Sequence, residues 1–210
     1  MGELNKFWDG VNKGWRHIIT SMNDEKKQRI VNRVKKNLLD HVEWDEVNRA
    51  LDYGVGGGLL AKCILDDYTV ESLDVADICE DSLNSAIEYL EGRVNSHLID
   101  SDDISLAFDY NIDLILCNEV IQHFPSEEHF ETVLAIWMSL LPKYLCLQIK
   151  TGTNTKAADN YSQGFLRGLV FSCDDFEKRI KSYGYEVVNF ATETSKSDQT
   201  LGYYVFKKVN

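Results

Sequence analysis

The residues best able to do chemistry are gathered first in residues 50–58, ALDYGVGGG, where an apolar run ends in an acid and a glycine cluster. Asp52 is followed by glycines at alternate positions, Gly54, Gly56 and Gly58. A buried strand that turns directly into a helix needs positive φ angles, and a ligand lying over such a turn needs close approach to the backbone. The helix expected next carries Leu59, Leu60, Ala61, Ile64 and Leu65. Its unpaired N–H groups and positive dipole end would face whatever lies over the turn. An adenosine-containing cofactor suits that chemistry best. The second concentration is residues 113–125, DLILCNEVIQHFP. An apolar strand there would deliver Asn118 and Glu119 to its carboxyl end, where open α/β sheets bind ligands. His123, neutral and titratable near working pH, is the first choice for a general base and Glu119 the second. A histidine that merely orders the loop before Pro125 is the competing reading.

Elements that could position these groups emerge from the apolar pattern. Strands are expected over 49–52, 70–75, 96–99, 112–117 and 144–149, with helical patterns near 58–66, 80–91 and 127–140. Such alternation signals a parallel sheet covered on both faces. Ser172-Cys173-Asp174-Asp175 starts a further helix, and two apolar runs, 185–191 and 201–206, read as an antiparallel hairpin at the sheet edge. Before the first strand, a segment over 4–22 could be helical, and Asn23-Asp24 cap a helix over 25–41. Its basic face (Lys26, Lys27, Arg29, Arg33, Lys35, Lys36) is either solvated or a substrate-facing strip. We therefore expect one domain over 1–210, with a helical cap (1–46) on a Rossmann-like core (47–210).

At 210 residues and 44% apolar content, the chain can bury one substantial core. A net charge of −12 argues against DNA as a partner, since phosphate binding wants clustered Lys and Arg. Five cysteines show neither C-x-x-C pairs nor metal-ligand spacing, so no metal is expected and a reduced cytoplasmic setting fits. No stretch reaches membrane-spanning length.

The motif Asp52-x-Gly54-x-Gly56-x-Gly58 resembles the first motif of the class I S-adenosylmethionine-dependent methyltransferases, acid-x-Gly-x-Gly-x-Gly. A dinucleotide fingerprint would carry its last glycine at position 59, which is leucine. The resemblance runs over 50–209. It implies an α/β three-layer sandwich: a mostly parallel seven-stranded sheet, one antiparallel strand brought in by the edge hairpin, and an N-terminal helical cap. It also implies S-adenosylmethionine as cofactor, with S-adenosylhomocysteine as product.

By the same resemblance an acid closing the second strand would meet the ribose. Asp77, in DICEDSL, is favoured over Asp74, and either could instead cap the following helix. Asp100 or Asp102 would meet the adenine amino group, with the backbone about Ser101 reading the ring edge. Asn118 would border cofactor and substrate. Trp8 and Trp15 could stack on a ligand or simply pack in the core, and Arg16 could pair with the methionine carboxylate. Lys150, Asn160 and Tyr161, by position alone, are possible substrate contacts. The Asn/Asp-Pro-Pro-aromatic signature of amino-group DNA methyltransferases and the Pro-Cys nucleophile are missing. The expected activity is methyl transfer to an O or N atom of a small acceptor. A protein or tRNA acceptor, and a non-catalytic cofactor-binding relative, are the alternatives, and the oligomeric state is open.

Overall fold

The computed structural model describes residues 22–100, 110–152, 169–194 and 200–209. Trp8, Trp15, Arg16, Ser101, Asp102, Asn160 and Tyr161 lie outside the described residues, as does the helix expected within 4–22.

Helix α1 (Asp24–Asn37) begins where Asn23 accepts the Lys26 N–H with its side chain, and two 3-10 turns, Leu39–His41 and Trp44–Glu46, lead into the core. The sequence pattern carries this helix to residue 41. It stops at Asn37 because Leu38 leaves helical geometry (φ −126°), which lets Leu38 and Leu39 both bury. Next come β1 (Arg49–Tyr53), α2 (Leu59–Asp67), β2 (Ser72–Asp77), α3 (Glu80–Tyr89), β3 (Asn95–Leu98), β4 (Leu114–Cys117), α4 (Glu127–Ser139) and β5 (Tyr144–Thr151). The chain closes with β6 (Val170–Phe171), α5 (Cys173–Lys181), β7 (Tyr185–Thr194) and β8 (Thr200–Lys208).

The sheet order is β3-β2-β1-β4-β5-β8-β7, with short β6 paired to β5. Neighbours among β1–β5 pair in parallel, and β8 runs antiparallel to both β5 and β7. The hairpin therefore inserts its second strand, so the reversed strand is interior and β7 forms the edge. β6 escapes the sequence pattern because two residues are too few to establish alternation.

Three layers result. Ala61 and Ile64 of α2, Leu83 and Ala86 of α3 and Val34 of α1 pack on one face, with Val75, Leu116 and Cys146 beneath them. Phe130, Leu134 and Trp137 of α4 and Phe176 and Ile180 of α5 pack on the other, over Leu51, Ile115 and Tyr204. Burial on both faces explains why β4 reads LILC without alternation. Trp137 and Phe130 have no exposure; truncating either to alanine costs about 3–5 kcal/mol.

At the edge, the β7–β8 register passes from Val187↔Phe206 to Asn189↔Val205, leaving Val188 as a bulge. Consequently Val187 packs with the α5 side and Ala191 with the α1 side. Nothing among the described residues is a helix long and apolar enough to cross a membrane.

Candidate active site

Three parallel strands, β1, β2 and β4, end together, and the chain's candidate groups sit on the turns beyond them. After β1 the backbone N–H groups of Gly54 and Val55 both donate to Ala76 O (2.7 and 3.1 Å), strapping the glycine turn to the end of β2. Gly54, Gly56 and Gly58 all adopt left-handed φ (79°, 53° and 83°). Their surroundings differ. A Cβ at Gly54 would lie 2.2 Å from Val120 Cγ2, and one at Gly58 would lie 3.3 Å from Ala86 of α3. A Cβ at Gly56 would meet nothing within 4 Å among the described residues. Gly54 and Gly58 thus allow packing, while Gly56 faces space that no described residue fills.

Asp77 ends β2 and binds this turn directly. Its Oδ2 accepts the Gly56 N–H (2.9 Å) and its Oδ1 the Cys79 N–H (2.9 Å). Asp52 is buried nearby. Burial first, then the charge of Asp77, push the Asp52 carboxyl up to about 7 against the pull of the Ala61 N–H. Asp74 occupies a different place, in mid-strand opposite Leu51 and Asn95. It is fully buried, with its Oδ1 receiving the Tyr110 hydroxyl (2.6 Å) and lying 2.7 Å from His97 Nε2. The structure brings Asp77, not Asp74, to the glycine turn. Asp100 lies just past β3, beside Ile99, whose N–H donates to Asp77 O (2.9 Å).

Past β4, Asn118 carries a buried Oδ1 without a hydrogen-bond partner among the described residues. Glu119 adopts φ +62°, a conformation non-glycine residues rarely take. Its N–H donates to Gln148 Oε1 (2.7 Å), and its carboxylate receives Arg33 Nη2 and Gln122 Nε2 (both 3.2 Å). One residue of the basic face of α1 therefore reaches this end of the sheet, and a second, Lys35, pairs instead with Asp67 (3.0 Å).

His123 ends a 3-10 turn (Ile121–His123). Burial, and the Lys150 ammonium, hold its imidazole down at about 4, so it is neutral at working pH. Lys150 lies near the end of β5, half-buried, with its own pKa lowered by burial against the pull of Glu119. His123, Lys150, Glu119 and Asn118 are thus gathered at one end of the sheet. No group of three or more metal-ligating side chains exists among the described residues.

Three residues of this site are given no role by the sequence: Gln148 and, within the 113–125 stretch, Val120 and Gln122. Gln148 left one signal, a lone amide within the apolar strand YLCLQIKT.

The sheet order with its single reversed strand, the glycine turn after β1 and the acid ending β2 define the class I S-adenosylmethionine-dependent methyltransferase fold, and the chain has that fold. No family model matches the chain. The ubiquinone biosynthesis O-methyltransferase of Rickettsia bellii is 26% identical over 176 residues, covering 80% of this chain and 66% of that protein. The malonyl-[acyl-carrier protein] O-methyltransferase of Bacteroides fragilis is 26% identical over 104 residues, 50% of this chain and 21% of that protein. The chain thus spans less than two thirds of the length of each of these relatives. Among solved structures, an S-adenosylmethionine-dependent methyltransferase of Leishmania major superposes with TM-score 0.72 at 17% identity, covering 99% of this chain and 87% of that one. The 1,6-didemethyltoxoflavin-N1-methyltransferase of Burkholderia thailandensis gives 0.72 at 16% identity, covering 99% and 88%; it was crystallised with 1,6-didemethyltoxoflavin and S-adenosylhomocysteine.

Proposed function

We propose that the chain binds S-adenosylmethionine over the glycine turn and transfers its methyl group to an oxygen or nitrogen of a small-molecule acceptor. The observation that carries this reading is the turn itself. Its middle glycine faces space left open by the described residues while its N–H is held by Asp77, a cradle that any side chain at position 56 would fill. The buried acceptor atom Asn118 Oδ1 is a second group suited to a polar ligand. Bound there, the cofactor supplies a methyl group on a sulfonium, open to in-line displacement by an acceptor lone pair.

The chain's own residues then act by placement. Asp77 would receive ribose hydroxyls while keeping the turn closed, Asp52 would face the cofactor's ammonium group, and Asp100 the adenine side. His123 is too weak a base at about 4 to strip a proton from an alcohol at neutral pH. Its neutral ring instead orients an acceptor that ionises readily, such as a phenol or carboxylic acid, and Glu119 is the alternative proton acceptor. Lys150, half-buried near His123, suits an acidic acceptor. The toxoflavin-type neighbour and the ubiquinone-biosynthesis relative give a small acceptor its support, while the malonyl-[acyl-carrier protein] relative is named for an acceptor carried on a protein. Five free cysteines, four of them buried, favour a reducing compartment such as the cytoplasm.

A macromolecular acceptor is the second reading. α1 carries exposed Lys26, Arg29 and Lys36 and is linked to Glu119 through Arg33. Calorimetric titration with S-adenosylmethionine, and with NAD in parallel, tests the cofactor: micromolar binding of the first alone is expected, and no binding sinks the enzyme reading. Screening phenols and carboxylic acids against tRNA and protein fractions, with His123→Ala as control, then decides between acceptors.

A further inference from the structure

We propose that Gln148 is a positioning residue: it holds the turn after β4 in its left-handed form, which presses Val120 onto Gly54 and so sets the shape of the glycine cradle. The inference rests on the reading of that cradle as the cofactor site.

Gln148 has no exposure and lies between Leu147 and Ile149 in the middle of β5. A buried side-chain amide is costly unless both ends are satisfied, and an apolar residue of similar volume would fill the space at lower cost. Both ends of Gln148 are satisfied. Nε2 donates to Ile149 O (2.9 Å), and Oε1 crosses from β5 to accept the N–H of Glu119 (2.7 Å).

That N–H belongs to the residue at φ +62°. A non-glycine residue in that region costs on the order of 1 kcal/mol and persists only where its surroundings over-determine it. Here the backbone is held by Gln148 and the carboxylate by Arg33 and Gln122.

The next residue, Val120, is the one that only a glycine at position 54 can accommodate, with Cγ2 2.2 Å from where a Cβ would stand. Gly54 in turn is strapped to Ala76 O, one residue before Asp77, and Asp77 holds the Gly56 N–H. A continuous chain of contacts thus joins the middle of β5 to the cradle.

The test uses S-adenosylhomocysteine calorimetry on the full chain and its variants, together with the amide resonances of Gly54 and Gly56 in the free protein. Gln148→Met is expected to weaken binding by about tenfold, the scale of one hydrogen bond to a partner left buried, and to move both resonances. Glu119→Gly removes the need for the clamp, since glycine takes positive φ freely. Gln148→Met/Glu119→Gly should therefore bind within about twofold of Glu119→Gly alone. A residue that merely filled the core would show no such rescue.

Val120→Ala, milder to folding, should weaken binding by a similar factor without adding to the Gln148→Met loss. Unchanged binding and resonances in Gln148→Met, or full additivity in either double variant, overturns the proposal. If the unaltered chain binds no S-adenosylhomocysteine, the cofactor reading falls, and the glycine resonances still decide whether Gln148 positions the turn.

Discussion

Asp52 and His123 are displaced from their ordinary pKa values in opposite senses. The Asp52 carboxyl is raised to about 7 in the fold, so it adds stability below the ordinary carboxylate value of 3.8 and loses it as pH rises through about 7. A ligand ammonium favours its ionised form. Affinity for S-adenosylhomocysteine is therefore expected to rise between about pH 6 and pH 8, and Asp52→Asn to flatten the rise; calorimetry across that range measures both.

His123, lowered to about 4, contributes stability above its ordinary 6.5 that is lost as pH falls toward 4. The melting temperature should fall over that window, and fall less in His123→Asn. The glycines separate packing from binding. Gly54→Ala forces a Cβ onto Val120 at positive φ and should destabilise by about 2–4 kcal/mol in thermal melts. Gly56→Ala carries only the φ cost, about 1 kcal/mol, yet should weaken the cofactor at least about tenfold, and Gly56→Val should abolish binding.

Among the elements, the alternation of strands and helices was legible because both sheet faces are buried, so each strand reads as an apolar run and each helix as a one-sided stripe. Strand ends were less so. The apolar pattern ends the second strand at residue 75, whereas β2 runs to Asp77, because its last residues pair with β1 and β3 whatever their polarity. That extension separates Asp77, at the end, from Asp74, inside. Nor could the Gln148–Glu119 bond be read, since it joins residues 29 apart whose meeting depends on β4 and β5 being neighbours.

The amino end of the sheet has its own knot. Asp113 Oδ2 accepts the Asn48 and Arg49 N–H groups (2.9 and 3.0 Å), and Oδ1 pairs with Lys143 (3.0 Å). Burial opposes ionisation there, but Lys143 and those N–H groups outweigh it and hold the carboxyl below its usual range. Its contribution is thus present above 3.8 and lost as pH falls through the lower folded value. Asp113→Ala should cost about 2–3 kcal/mol by chemical denaturation, with an unchanged denaturant slope.

For the molecule as a whole, the sheet is assembled out of sequence order. β8, residues 200–208, fills the place between β5 and β7, and eight of its residues pair with β5, from Thr151↔Thr200 (49 positions apart) to Tyr144↔Lys207 (63 apart). On a ribosome, β5 emerges with one side open and stays open until residue 208 has cleared the exit tunnel. An apolar strand with an unpaired edge is a template for other chains. The interval between synthesis of β5 and arrival of β8 is therefore the one in which the growing chain is most exposed to aggregation. A slowly translated message should yield more aggregate than a fast one of identical sequence.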